Sequence, residues 1–276
     1  MPQTWMIAYP QGKMKAFTLS YDDGVDSDAR LVELMRRYGV KGTFNINTGI
    51  CPEKPVTENR RAWNRMTLDT CVKLYGDDME IAVHGVHHSS WNKIPTSQAM
   101  AEILDDKRAL EQATGKPVLG GAYPNGGFHD DVVRILQLAG IRYCRVTGGT
   151  KKLTVESPDW LRFQGTCAHK DPQLMELAQA FVQDQPDTVY LFYVWGHTYE
   201  FVQKDNWDVM EQLLALVSGR EDVWYATNIE IVSYLQAAQQ LTEENGVFRN
   251  PTDTDIWVRQ GAQVIRIPAG ENAGGV

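Results

Sequence analysis

Short apolar runs alternating with segments of helical period recur through most of the chain, and this alternation restricts the fold more than any other feature. KAFTLS (15 to 20) reads as a buried strand, SDARLVELMRRYG (27 to 39) as a helix capped near Ser27 or Asp28 and ended by Gly39, and GTFNIN (42 to 47) as the next strand. The pattern continues with a helix over 68–75 and the strand MEIAV (79 to 83), a helix over 96–115 and PVLGGAY (117 to 123), and a helix over 129–140 and IRYCRVT (141 to 147). WLRF (160 to 163) reads as a weaker strand, followed by a helix over 172–183, VYLFYVW (189 to 195), a helix within 205–218, VWYAT (223 to 227) and a helix over 228–240. Strands joined through helices pair in parallel by right-handed crossovers. Seven or eight such units predict an α/β fold, a distorted parallel (β/α) barrel, over residues 1–240. Residues 241–276 read as an extension, in which IWVRQGAQVIRI (256 to 267) alternates around Gln260-Gly261 and forms a small C-terminal β-hairpin packed on the barrel.

With 276 residues the chain is long enough for one such barrel. A formal net charge of -8 argues against nucleic acid or an anionic membrane surface as a partner, because neutralising phosphate needs a basic patch. The N-terminal stretch MPQTWMIAYPQGKMKAF carries no readable signal peptide and no apolar run reaches spanning length, so a cytoplasmic location without membrane insertion is expected. The four cysteines, Cys51, Cys71, Cys144 and Cys167, are widely spaced and read as reduced thiols rather than metal ligands.

The polar residues that stand out follow strands. Asp22 and Asp23 come after the first strand in LSYDDG, and His84, His87 and His88 after the third in VHGVHH. Tyr123, Pro124 and Asn125 come after the fourth, and His197 after VYLFYVW in GHTYEF. In a parallel barrel the C-terminal strand ends share one face, so these clusters converge. His84 and His88 are four apart; on a helical turn their Cβ atoms would lie about 5–6 Å from each other and could clamp a divalent cation. A carboxylate would complete a two-histidine, one-carboxylate set with open positions. Adjacent aspartates point in different directions, leaving one to bind metal and the other to accept a proton, with Gly24 allowing the turn. His197 could supply the complementary acid. Metal, base and acid together suit hydrolysis of an amide or ester through a metal-bound water. Taken singly, Asp-Asp-Gly is a common turn and His197 a common kind of core histidine; His87 has no assigned role, and His129, His169 and Glu200 read as structural, with Glu200 able to orient His197.

These motifs resemble those of the polysaccharide deacetylase family, the NodB-homology carbohydrate esterases. SYDDG is similar to the family's T-F-D-D-G, HGVHH to H-[ST]-x-x-H with Gly85 in the second position, AYPNG (122 to 126) to R-x-P-Y, and FYVWGH to L-x-L-H, in the family's order over roughly residues 14 to 236. The resemblance implies a divalent metal, usually zinc, with cobalt, nickel or iron able to serve, held by Asp23, His84 and His88. It implies Asp22 as base, His197 as the acid that protonates the departing amine, and an oxyanion site at Tyr123, Pro124 and Asn125, where a backbone N–H near Asn125 assists. The implied substrate is an N-acetylated sugar or saccharide, which loses acetate.

The chain departs from the family in two places. Ala122 stands where R-x-P-Y has arginine, and Arg145 at the end of the next strand is placed to substitute for it. ESPDW (156 to 160) shares little with the family's D-x-x-D-W, leaving Trp160 as a candidate wall of the acetyl pocket. These departures keep open a hydrolase of another C–N bond, such as a cyclic amide or ureide. They also keep open a catalytically silent saccharide-binding barrel in which Trp63 and Trp91 stack on sugars.

Overall fold

After a short strand β1 (Met6–Ala8) the chain enters β2 (Lys15–Asp22), whose eight residues are all buried and around which the main sheet is assembled. A computed structural model describes residues 5–56, 63–155, 158–270 and 272–274 of the chain. Helix α1 (Asp28–Arg37) returns the chain to β3 (Gly42–Ile46), and α2 (Leu68–Tyr75) to β4 (Glu80–Val83). The start of α2 is fixed by Thr67, whose side chain accepts from the Thr70 N–H, and its end by Gly76 at φ 62°. Then come α3 (Thr96–Thr114), β5 (Gly120–Ala122), α4 (Asp130–Leu138) and β6 (Tyr143–Val146). His129 caps α4, its ring accepting from the Val132 N–H. Two strands of two residues each follow, β7 (Phe163–Gln164) and β8 (Cys167–Ala168), before α5 (Leu174–Gln183) and β9 (Tyr190–Gly196). The barrel ends with α6 (Tyr199–Lys204), α7 (Trp207–Val217), β10 (Val223–Tyr225) and α8 (Asn228–Ala238), the last opened by a reciprocal Thr227–Glu230 capping box.

All strand pairs in this sheet are parallel, in the order β7-β6-β5-β4-β3-β2-β9-β8, and β10 pairs the first residues of β2 while β3 pairs its last. The two ends of the sheet, β7 and β8, are consecutive in the chain and separated by Gly165 and Thr166 alone. No ladder joins them among the described residues; the chain itself closes the curl, and the Thr166 N–H donates to Tyr193 O at 2.8 Å. This is the expected distorted (β/α) barrel, curled but with one unladdered seam.

Successive residues of a strand face opposite sides. From β2, Phe17, Leu19 and Tyr21 enter the layer packed under the helices with Leu31, Met35, Phe181 and Leu213, while Ala16 joins a second cluster with Tyr143, Tyr193 and the α8 residues Ile231 and Val232. Thr18, Ser20 and Asp22 share the side of Ala16, as Thr43 and Asn45 do on β3 and Arg145 on β6, and all are buried. The face away from α1–α7 is therefore apolar at one end of the strands and polar at the other.

The tail adds β11 (Thr242–Glu244), β12 (Val247–Arg249), β13 (Ile256–Gln260), β14 (Gln263–Ile267) and β15 (Asn272–Gly274). The β13–β14 hairpin pairs with β1, and the Tyr234 hydroxyl ties α8 to Ala8 O and to the Trp257 N–H. The small β11-β12-β15 sheet and β1 have no counterpart in the sequence reading. WLRF is also not a strand: Asp159 accepts from the Leu161 N–H and curls Trp160–Arg162 into a 3-10 turn, leaving only Phe163 and Gln164 extended. No helix among the described residues is long and apolar enough to cross a membrane.

Because Ile256, Val258 and Ile267 are fully buried in the same cluster as α8, we expect Ile256→Ala to cost about 2–5 kcal/mol and the protein to melt in one transition. Two separate transitions by calorimetry would mean that the tail folds as an independent unit.

Candidate active site

Asp22 closes β2 with its carboxylate on the polar face, 3% exposed. Register places Asn45 of β3 directly beside it, and the Asn45 Nδ2 donates to Asp22 Oδ1 at 2.8 Å. From β6, Arg145 donates through Nη2 to Asp22 Oδ2, its guanidinium stacked 4.5 Å from the centre of the Trp195 ring. His84 Nε2 and His197 Nε2 lie 3.9 and 3.7 Å from the same oxygen. Burial alone would push the Asp22 pKa up, but Arg145 first and then the two imidazoles outweigh it and hold the carboxyl at about 2. The arginine that meets Asp22 stands on the strand next to Ala122, since Ala122 and Arg145 are cross-strand partners.

Asp23 takes φ 88°, turning its side chain away from that of Asp22, and its N–H donates to Asn45 O at 3.0 Å. His84 and His88 are not on a helical turn. Gly85 at φ 79° and His88 at φ 58° shape an irregular loop, yet the two rings still meet edge to face at 4.8 Å. Carboxylates hold this loop from α3: Asp106 accepts from the N–H of His84, and Glu102 from the N–H and Nδ1 of His87. Gly85 has no room for a side chain, since a Cβ would stand 2.9 Å from Trp91 Nε1.

His84 donates from Nδ1 to Ala122 O at 2.8 Å, which turns the Nε2 lone pair inward. That Nε2 is buried without a hydrogen-bond partner, and burial holds the ring neutral, its pKa down to about 4. Donor atoms of Asp23, His84 and His88 all lie within 4.8 Å of one another. Two imidazoles, that of His84 neutral with an orphaned inward lone pair, and one carboxylate fit a divalent cation.

His197 follows β9 and packs its ring 5.0 Å from that of Tyr199. Glu200, one turn on, stands 3.9 Å from His197 Nδ1 and 3.2 Å from His169 Nε2, with Lys170 donating to its other oxygen at 2.6 Å. Burial would lower the His197 pKa, but Glu200 and then Asp22 raise it above the ordinary histidine value. His169 is buried, 3.2 Å from the Tyr21 hydroxyl, and fits because Gly196 leaves the space: a Cβ there would lie 2.0 Å from His169 Nδ1.

Other candidates lie differently. Asn125, at φ 58°, is exposed and donates to Ser90 Oγ, beside buried Pro124. The Tyr123 hydroxyl donates to Leu161 O inside the core. Trp160 lines a cleft with Met6, Ile7, Val189 and Leu235, apart from the histidines. Trp91 is fully buried against Tyr123 and offers no face to a sugar, whereas Trp63 is partly exposed and stacks on Tyr199 at 4.8 Å. Glu156 and Ser157 of ESPDW lie outside the described residues. Arg65, Asn47, Asp106 and Glu102 went unnoticed in the sequence; only the adjacency of acidic residues on the α3 face nearest the histidine loop could have signalled the last two.

The Asp22–Arg145 pair sets a pH signature. With a folded pKa of about 2, below the ordinary carboxylate value of 3.8, Asp22 contributes stability that is full above that value and is lost as pH falls through about 2. In Arg145→Gln burial outweighs the partners that remain, the folded pKa rises, and the sign reverses: stability should fall as pH rises from 4 to 7, by about 2–4 kcal/mol. Urea midpoints measured across that range for both proteins test it.

Residues 9–144, from before β2 to the middle of β6, match the family model described as Polysaccharide deacetylase. No curated protein matches. Among solved structures, a candidate polysaccharide deacetylase from Mycobacterium smegmatis superposes with a TM-score of 0.57 at 16% identity, over 87% of this chain and 98% of that one. The Xyl-CE4 domain of a multidomain xylanase from the hindgut metagenome of Trinervitermes trinervoides gives 0.53 at 13% identity, over 82% and 92%. Of the Streptococcus pyogenes deacetylase PplD, solved in complex with acetate, the chain spans 62%, with 53% of its own length, 18% identity and a TM-score of 0.47. The fold is that of the Mycobacterium smegmatis protein and the Xyl-CE4 domain, and the segment similar to the polysaccharide deacetylase family, residues 9–144, carries both the Asp-Asp and the His-His loops.

Proposed function

We propose that the protein is a metal-dependent hydrolase that removes N-acetyl groups from an amino sugar or saccharide. The observation that carries this reading is the buried, unpartnered His84 Nε2 grouped with Asp23 and His88 beside an ionised Asp22. Held by Asp23, His84 and His88, a divalent cation, zinc or else cobalt, nickel or iron, would polarise the acetamide carbonyl and acidify water, so that a base as weak as Asp22 suffices. Asp22 takes a proton from the attacking water, and Arg145 keeps its carboxylate in place. Asn125, at its left-handed turn beside the histidine loop, presents backbone to the carbonyl oxygen as negative charge develops there. His197, oriented by Glu200 and kept protonated by the two carboxylates near it, gives its proton to the amide nitrogen as the C–N bond breaks. Acetate and a free amine leave.

The test is acetate release from a panel of N-acetylated mono- and oligosaccharides, with protein stripped by chelator and protein refilled with each metal. Release should require the metal. Asp22→Asn should lower kcat about 10²–10⁴-fold while retaining the metal, and a normal rate in that variant would overturn the assignment of the base. The alkaline limb of the kcat profile should fall above the ordinary histidine value, since deprotonating His197 removes the acid, and His197→Ala should abolish that limb.

A further inference from the structure

One hydrogen-bonded chain touches both loops that carry the candidate ligands. Arg65 donates from Nη2 to Asp23 Oδ1 at 3.0 Å and from Nη1 to Asp23 O at 2.6 Å and to Asn47 Oδ1 at 3.0 Å. Asn47 is fully buried, and its Nδ2 donates to His84 O at 2.5 Å and Gly85 O at 3.0 Å. A single guanidinium therefore grips Asp23 by its side chain and its backbone, and through one amide reaches the backbone of His84.

We propose that Arg65 is a positioning residue for the metal site: with Asn47 as relay it fixes the Asp23 loop against the His84 loop and thereby sets the affinity for the divalent cation. This rests on the metal-dependent reading above.

Three observations support it. Asp23 sits at φ 88°, a conformation unfavourable for a non-glycine residue that persists only where surroundings enforce it. Arg65 supplies that enforcement at both ends of the residue. Second, Arg65 and Asp23 form an ion pair at 3.0 Å between largely buried side chains, so the carboxylate is held as well as the backbone. Third, the segment bearing Arg65 is anchored without its guanidinium. Val25 and Arg65 form a β-bridge, the Asp26 N–H donates to Asn64 O and the Met66 N–H to Gly24 O, both at 2.9 Å, and Trp63 stacks on Tyr199. Removing the guanidinium thus frees Asp23 without detaching the strap. Lysine cannot replace it, since one ammonium lacks the planar fork that meets three acceptors.

The experiment measures zinc affinity by competition with a chromophoric chelator, and the visible spectrum of the cobalt form, for wild type, Arg65→Met, Arg65→Lys and Trp63→Ala, each checked for folding by circular dichroism. We expect Arg65→Met to bind zinc about 10–100-fold more weakly and to alter the cobalt spectrum, in line with losses of groups that orient metal ligands. Arg65→Lys should recover little of the loss. Trp63→Ala, which loosens the strap but keeps the guanidinium, should bind zinc within about twofold of wild type. Zinc bound as tightly or more tightly by Arg65→Met would overturn the proposal, as would an equal loss in Trp63→Ala. If Arg65→Met does not fold, full affinity in Arg65→Lys overturns it in the same way. Wild type that binds no divalent metal would instead refute the metal-dependent reading itself, and this inference with it.

Discussion

A carboxylate sealed from water at the end of the central strand is the constraint around which this molecule is arranged. An uncompensated charge at Asp22 would cost several kcal/mol, and the compensation is spread over three other parts of the sheet. Asn45 comes from β3, Arg145 from β6 and His197 from beyond β9. No two are neighbours in sequence, so the charge is satisfied only when the whole parallel register is formed. The same register places Arg145 over Trp195, where the guanidinium keeps one apolar face covered while its edge reaches the anion. The site is thus a product of the sheet rather than a set of loops mounted on it.

The division of labour between the two aspartates follows from backbone geometry. Asp22 is the last extended residue and keeps the side-chain alternation of β2, which delivers it to the polar face. Asp23 breaks that alternation with a positive φ, swinging toward His88, whose Nε2 is 3.7 Å from its carboxylate. Adjacent residues of the chain thus place one carboxylate against Arg145 and Asn45 and the other against Arg65 and beside His88. Adjacent carboxylates in a dry site would otherwise repel each other and one would take up a proton.

Much of this was legible in the sequence. The alternation of strands and helices yields the barrel, because period and crossover length are local properties, and the α2 bounds of 68 and 75 agree with the helical pattern that Gly76 stops. The convergence of Asp22, Asp23, His84, His88 and His197 follows from parallel strand ends alone. Segments shaped by local side-chain bonds were not legible: Asp159 curls Trp160–Arg162 into a turn where the apolar pattern suggested a strand. Nor was the histidine loop, where spacing by four suggests a helix but Gly85 and His88 both take positive φ and the rings meet by another route. Trp91, a polar-flanked aromatic by sequence, is core because Tyr123 and the loop close over it. Arg65 and Asn47 act across 18 to 42 positions of sequence, a relation that no periodicity encodes.

The seam at Gly165–Thr166 has a bearing on solubility. A fully laddered barrel abolishes its edges, but only by matching strand number, tilt and shear around the circuit. An open sheet escapes that demand and is left with two edges, each a template for another chain to pair with. In this protein the edges are β7 and β8, two residues each, with the chain passing from one to the other across two residues. Edges so short present too few unpaired groups to recruit a foreign strand, so the main sheet guards its seam against edge-to-edge pairing as a closed barrel does, without the exact closure that such a barrel requires.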